Sequence, residues 1–385
     1  MKYLKYLFLT LAVVGAASIF VFSKYSINPP LPLTKTNYKG DLPLDQLTLP
    51  EGFGIEVYAE DVENARSMAL APSGTLFVGT RSAGNVYALQ DTDSDGLVDK
   101  QYLLLSGGNM PNGVAYRDGD LYIAEVNRIL KFEDIESQLE NPGEPTVVMD
   151  TYPTETHHGW KYISFGPDGK LYVPVGAPCN ICDHEDDIFN TITRIDVDGS
   201  NREIVADGVR NTVGFDWHPD TEQLWFTDNG RDWLGDEEPE CELNILTEAG
   251  QHFGYPYCHQ GNILDPEFGT GKKCADYVAP YAKMGPHTAP LGCEFYTASN
   301  FPAEYSKDIF VCRHGSWNRK EKIGYDVVWV DSDSAGEPTS FISGWLDLEK
   351  DEVWGRPVDI ELMPDGSMLI SDDYANVIYR VYYEG

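Results

Sequence analysis

The chain has 385 residues, with 28 Lys+Arg against 62 Asp+Glu and a formal net charge of −34. That balance excludes a nucleic-acid binder, which needs a basic stripe to displace counterions from phosphate, and it disfavours docking on an anionic lipid surface. With 42% hydrophobic and 12% aromatic residues, the chain can bury a large core and does not read as disordered.

Lys2 and Lys5 precede an apolar run from Tyr6 to Phe22, a length on the border between a signal peptide and a membrane anchor. No clean small-x-small cleavage site follows, which favours an anchor. Lysines ahead of the run predict that the rest is exported, to a periplasm or the exterior. Residues 1–23 are therefore read as signal peptide or anchor, with a possible tether through residues 6–22. The Pro-rich stretch 24–47 reads as a linker, and 48–385 as one domain.

The segment Asp91-Thr92-Asp93-Ser94-Asp95-Gly96-Leu97-Val98-Asp99 has the oxygen spacing of a calcium loop. Asp91, Asp93, Asp95 and Asp99 offer carboxylates, Leu97 a carbonyl, and Gly96 the turn. Tyr102 stands where such a loop usually has its last Glu. A structural Ca2+ is expected there.

A degenerate pattern then repeats. A short alternating run leads into a turn, often Pro-x-Gly or Asp-Gly, and a second run such as Leu-Tyr-Val follows. The turns fall at 72, 117, 167, 219, 302 and 364, a period of about 50 with two longer steps. Propeller blades have about this length, and alternation with Asp-Gly turns reads as hairpins. The expected fold is all-β: a six-bladed β-propeller with long loop insertions in blades four and five. Propellers bind ligands at the axial channel. Residues flanking each inner strand are therefore the place to look.

Seven cysteines all follow the first two repeats. Export permits disulfides. Cys179 and Cys182, with no second C-x-x-C, read as a loop disulfide. Cys258 and Cys274 bracket a loop they could close. Cys293 and Cys312 lie in neighbouring β-runs and are expected to pair across them, leaving Cys241 free.

The positions flanking the inner strands hold Arg81, Asn112, His157, His158, Arg210, Asn211, His287, His314, Trp317, Asn318, Arg319 and Arg356. Any one of them alone is a surface charge or a satisfied buried group. Their recurrence blade after blade, in so acidic a chain, points to an anionic ligand on the axis.

The segment from His158-Gly159-Trp160-Lys161 to Leu171-Tyr172 resembles the histidine-bearing strand of the soluble quinoprotein glucose/sorbosone dehydrogenases. So do Gly208-Val209-Arg210-Asn211, His314-Gly315-Ser316-Trp317-Asn318-Arg319, Gly355-Arg356-Pro357 and Ser371-Asp372-Asp373. The His-Gly-Ser-Trp-Asn-Arg run is closest to the sorbosone/pyranose dehydrogenase branch. The resemblance implies a six-bladed propeller with two cofactors on the axis, pyrroloquinoline quinone (PQQ) and Ca2+. It implies oxidation of an aldose or sugar aldehyde, with electrons passed to an external acceptor, a quinone or a cytochrome. It makes His158 the general base and Arg210 the stabiliser of charge on the quinone. Arg210, Asn211 and Arg356 would contact PQQ, with Arg81, Asn112, His287, His314 and Trp317 as further walls. The carbonyls of Gly230 and Arg231 would hold the cofactor's Ca2+, and Glu242 resembles an additional calcium ligand. Two departures stand out: Ala177 where an acidic residue supports the histidine, and Val358 where an arginine is expected. The competing readings are a calcium-dependent lactonase or phosphotriesterase, which needs Glu, Asn and Asp around the axis, and a catalytically silent binding module.

Overall fold

The computed structural model describes residues 41–385 except Ser94. The expected leader 1–23 and most of the expected linker lie outside the described residues. Among the described residues six four-stranded antiparallel units form the domain, with almost no helix. Blade one comprises Ala65–Leu70, Leu76–Thr80, Val86–Gln90 and Lys100–Leu105. Blade two comprises Gly113–Arg117, Asp120–Ala124, Ile129–Phe132 and Thr146–Met149. Blade three comprises Ser164–Phe165, Leu171–Val175, Thr191–Ile195 and Glu203–Asp207. Blade four comprises Phe215–Trp217, Leu224–Asp228, Glu240–Leu246 and Ala282–Pro286. Blade five comprises Pro290–Phe295, Ile309–Arg313, Asp326–Val330 and Thr339–Ile342. Blade six comprises Pro357–Leu362, Met368–Asp372 and Val377–Tyr383, and its outer strand is Phe53–Ala59 from the other end of the domain.

Each repeated turn is the first hairpin of a blade. Arg117 faces Asp120 across Asp118-Gly119, both at positive φ, the two-residue turn whose twist suits paired strands. The Pro-x-Gly copies close in one way: the amides of Gly74, Gly169 and Gly366 bond back to the carbonyls of Ala71, Gly166 and Met363.

The core lies between adjacent blades, because alternate residues of each strand face opposite neighbours. Phe310, Cys312 and Val327 of blade five pack with Ile360 and Tyr379 of blade six. Trp225 and Leu243 of blade four pack with Cys293, Phe295 and Val311 of blade five. Phe53 closes the ring edge-on against Phe301 and Phe341, at 4.7 and 5.0 Å between centroids.

Three features differ from expectation. Residues 41–47 are not a free linker: Leu42, Leu44 and Leu47 pack on the last core, and Thr48 bridges to Ser343. The insertion of blade four lends Gln251–His252 to blade three as a fifth, parallel strand. Cys293 and Cys312 are not joined. Cys293 lies opposite Val311, so Cys312, one residue on, faces the other side of the sheet. The pairs Cys179–Cys182 and Cys258–Cys274 are formed. Thiol titration without reductant is therefore expected to find Cys241, Cys293 and Cys312 unreactive in the native protein. All of them should react in denaturant.

Candidate active site

The inner strands converge at one end of the axis on an apolar floor. Val213, Leu291 and Val358 pack together there, with Trp160 against them. Val358 is thus part of the floor and offers no charge. The guanidinium of Arg81 lies 4.0 Å over the Trp160 ring. It makes no hydrogen bond or ion pair to any described residue. Burial, and then Arg66, lower its pKa to about 10. The Trp160 indole N–H is buried without a partner.

His158 opens the strand-entry segment of blade three in a left-handed conformation, φ 50°. Its Nδ1–H donates to the Ala177 carbonyl at 2.9 Å. A carbonyl only accepts, so the proton sits on Nδ1 and Nε2 keeps its lone pair. The expected acidic support is therefore replaced by a backbone oxygen, which any residue at 177 supplies. The neighbouring Gly176 is required by space: a Cβ there would lie 2.7 Å from His158 Cβ and 3.3 Å from Asn211 Oδ1. Burial pushes the His158 pKa well below 6.5, and the charges of Arg210 and His157 add to the shift. The His157 ring centroid is 4.1 Å away.

Arg210 is 4% exposed. Its Nε donates to the Asn180 carbonyl at 2.8 Å, Nη1 to the Asn229 carbonyl at 3.0 Å, and Nη2 to Asn180 Oδ1 at 2.9 Å. A guanidinium has five N–H donors, so donors remain for a ligand. The backbone N–H groups of Arg210 and Asn211 both donate to Asp228, at 2.9 and 2.6 Å. The Asn211 carboxamide bonds to no described residue.

Across the axis, Asp373 binds three partners. Its Oδ2 accepts from Arg66 Nη1 at 2.9 Å, and its Oδ1 from His314 Nε2 at 3.0 Å and Arg356 Nη2 at 2.8 Å. His314, Arg356 and Arg66 hold the Asp373 pKa well below the usual carboxylate range despite burial. Burial drives His314 down to about 4, only partly offset by Asp373. Arg356 lies 5.2 Å over the Tyr374 ring, and its Nε is buried without a partner.

His287 donates through Nε2 to the Gly235 carbonyl at 2.7 Å, and its Nδ1 faces Asp232 at 4.0 Å. Asp232 also lies 3.5 Å from Arg210 Nη2 and accepts weakly from Asn318. Arg319 turns to the Asp236 carbonyl and to Glu237, while Trp317 stands half-buried. Asn112 is withdrawn from the cavity. It is fully buried, accepts from Arg66 Nε at 2.9 Å, and donates to Ser67 and to the Lys161 carbonyl. It positions Arg66 and has no free donor to offer a ligand. Sequence reasoning missed Arg66, Asn180 and Asp232, and left Trp160 and Asp373 without roles. Asp373 stood inside the quoted Ser-Asp-Asp run, and Asn180 inside the C-x-x-C.

Of the calcium positions, Gly230 and Arg231 lie in the loop beside Arg210. The Arg231 side chain points away, to Asp265, which also binds His259 at 2.9 Å. Glu242 pairs with Asp228 across the sheet and bonds to Gln260 N and Asn244. Burial pushes both carboxyls up, and Asp228 adds to the rise at Glu242. Gly230 and Glu242 share a void of about 10 Å³ with Tyr255 and His259, room for about one water-sized sphere. Far out on blade one, Asp91, Asp93 and Asp99 bring oxygens within 4.8 Å of one another. Asp95 instead accepts from Leu97 N at 2.9 Å.

A family model for TrAA12-like proteins matches residues 47–384. The chain belongs to this family of PQQ-dependent oxidoreductases. An uncharacterized protein of Borreliella burgdorferi is 35% identical to it over 354 residues, 88% of this chain and 91% of the relative. The Trichoderma reesei Carbohydrate-Active Enzymes Family AA12 protein, in its iodide structure, superposes with a TM-score of 0.76 at 18% identity, covering 92% of this chain and 100% of that one. The holo PQQ domain of pyranose dehydrogenase from Coprinopsis cinerea does so with 0.72 at 16%, covering 90% and 97%. The TrAA12-like chain thus shares with them the ring that the repeats predict.

Asp373→Asn would weaken the hold on Arg66 in a site only 1% exposed. The expected cost is about 3 kcal/mol, as for a broken buried ion pair, read from urea unfolding. His314 takes its proton near pH 4 when folded and near 6.5 when unfolded. Its contribution, taken as wild type minus His314→Gln, should therefore shrink as pH falls from 6.5 to about 4.

Proposed function

We propose that the axial cavity binds PQQ and that the protein oxidises an aldose or sugar aldehyde, with His158 as general base. One observation carries this reading. In a chain of net charge −34, Arg81 has no hydrogen-bond or ion-pair partner among the described residues, Arg210 has N–H donors to spare, and Arg81 lies over Trp160, whose ring is 6.0 Å from that of His158. Such donors suit a rigid tricarboxylate, and they stand beside an unprotonated His158 Nε2. Arg81, Arg210, Asn211 and Arg356 would hold the quinone, with Trp160 carrying the Arg81 guanidinium. When bound, PQQ supplies the two-electron acceptor for hydride, and Ca2+ at the carbonyls of Gly230 and Arg231 would act as a Lewis acid beside it.

The chain's own part is positional and electrostatic. His158 Nε2 takes the proton of the hydroxyl being oxidised, while the Nδ1–H to Ala177 bond keeps the ring in the required tautomer. Arg210 offers its remaining N–H donors where negative charge develops. The Val213, Leu291 and Val358 floor keeps water from below. His287, Asp232 and Trp317 stand at the side where a sugar would enter. An external acceptor, a quinone or a cytochrome, completes the turnover. Export to a periplasm or the exterior rests on residues 6–22 alone, and the structural Ca2+ on the gathered Asp91, Asp93 and Asp99.

The test is turnover by the purified domain with PQQ, Ca2+, a panel of aldoses and a dye acceptor. Absence of both PQQ binding and turnover would sink the reading. His158→Ala is expected to lose turnover by at least ~100-fold, the size of a general-base contribution, while still binding PQQ. Protonation disables a base, and burial holds the His158 pKa well below 6.5. The acid limb of kcat/KM should therefore lie below pH 6.5 and not at it. Separately, Ca2+ should raise the Tm of the wild type more than that of Asp93→Asn.

A further inference from the structure

The Cys179–Cys182 disulfide presents Asn180 directly to Arg210. Nearly every polar atom of Asn180 is engaged there. Its carbonyl accepts from Arg210 Nε at 2.8 Å, and its Oδ1 accepts from Arg210 Nη2 at 2.9 Å and from Asp232 N at 2.8 Å. Its Nδ2 donates to the Asp232 carbonyl at 3.1 Å. Tyr255, from the insertion of blade four, fixes the loop from behind. Its hydroxyl accepts from Cys182 N at 3.0 Å and donates to the Asn180 carbonyl at 3.4 Å. The residue thus grips Arg210 on two edges and ties the Asp232 loop to the same point.

The chemistry of the grip matters. A carboxylate at this place would hold a guanidinium more tightly, but it would cancel the charge. Asp232 already pairs with Nη2 at 3.5 Å, and a loosened Arg210 could close further onto it. A carboxamide and a carbonyl hold the group in place without adding a second carboxylate.

We propose that Asn180, held by the Cys179–Cys182 staple, is the positioning residue of Arg210: a neutral clamp that aims its guanidinium at an anionic ligand without adding a second carboxylate to Asp232. The identity of that ligand as PQQ rests on the reading above; the clamp does not.

Asn180→Ala and Asn180→Asp separate a clamp from a merely structural loop residue. Asp keeps the acceptors that face Arg210 but loses the Nδ2 donor to the Asp232 carbonyl, so it should lower Tm less than Ala, which loses both. For PQQ affinity, measured by titration of the apo protein, the order should change. Ala should weaken binding on the order of tenfold, the scale of one charge-assisted hydrogen bond. Asp should weaken it further, because it adds a negative charge beside Arg210. A purely structural role would give the same order in both measurements, and that result would overturn the proposal. A readout without cofactor accompanies it. Phenylglyoxal should modify Arg210 in apo Asn180→Ala, read by peptide mass spectrometry, and spare it in the wild type. Equal protection overturns the clamp. Cys179→Ser/Cys182→Ser should behave like Asn180→Ala and stands in if that variant fails to fold. Variants replace thiol reductants here because thiols react with quinones. If the wild type binds no PQQ, the cofactor reading falls and the labelling alone decides the clamp.

Discussion

A single buried carboxylate organises the far wall of the cavity. Asp373 sits on blade six and draws Arg66 from blade one, His314 from blade five and Arg356 from its own blade onto two oxygens. A cation as deeply buried as Arg66 survives only with a partner, and Asn112 completes its shell. Because Asp373 is divided among three partners, none of them is fully satisfied by it. His314 stays neutral, and the Arg356 Nε stays unbonded. Two further buried carboxyls of this wall, Asp359 and Asp372, are taken up by backbone N–H groups, so the guanidiniums of Arg66 and Arg356 share Asp373.

The opposite wall is fixed by another route. Around Arg210 the nearest buried acid, Asp228, accepts from the backbone N–H groups of Arg210 and Asn211 and so fixes the main chain. The guanidinium itself is met chiefly by carbonyl and carboxamide oxygens, with the Asp232 carboxylate at 3.5 Å. His158 joins in the same style, steadied by the Ala177 carbonyl. Both walls place main chain and side chain firmly before any ligand arrives, the condition for electrostatic preorganisation.

The ring was legible in the sequence because its cause is local and repeated. A Pro-x-Gly or Asp-Gly turn between alternating runs writes the same hairpin wherever it occurs, and the positions of His158, Arg210 and Arg356 follow from the phase of the repeat. What stayed hidden depends on contacts across the ring. Asn112 looked like a wall residue, yet only the placement of Arg66 shows that its amide is already engaged. The support of His158 by a backbone oxygen has no side-chain signature at Ala177. Cys293 and Cys312 lie on neighbouring strands, and only the register shows that they face opposite sides. The grip of Asn180 on Arg210 joins two blades and an insertion, so no local pattern announces it.

The last blade has a kinetic meaning as well as a structural one. Its outer strand Phe53–Ala59 pairs with Val377–Tyr383, and Arg380 meets Glu56 across 324 residues of sequence. Bringing such distant segments together costs about 5 kcal/mol of loop entropy, repaid only as the strand pairs and its side chains pack. Joining the two ends is therefore a late and slow event. Until then blade six lacks its outer strand, and the open edge of Val377–Tyr383 can pair with a second chain. The newly made protein is most exposed to aggregation in this interval, after its other blades can form but before the circle shuts.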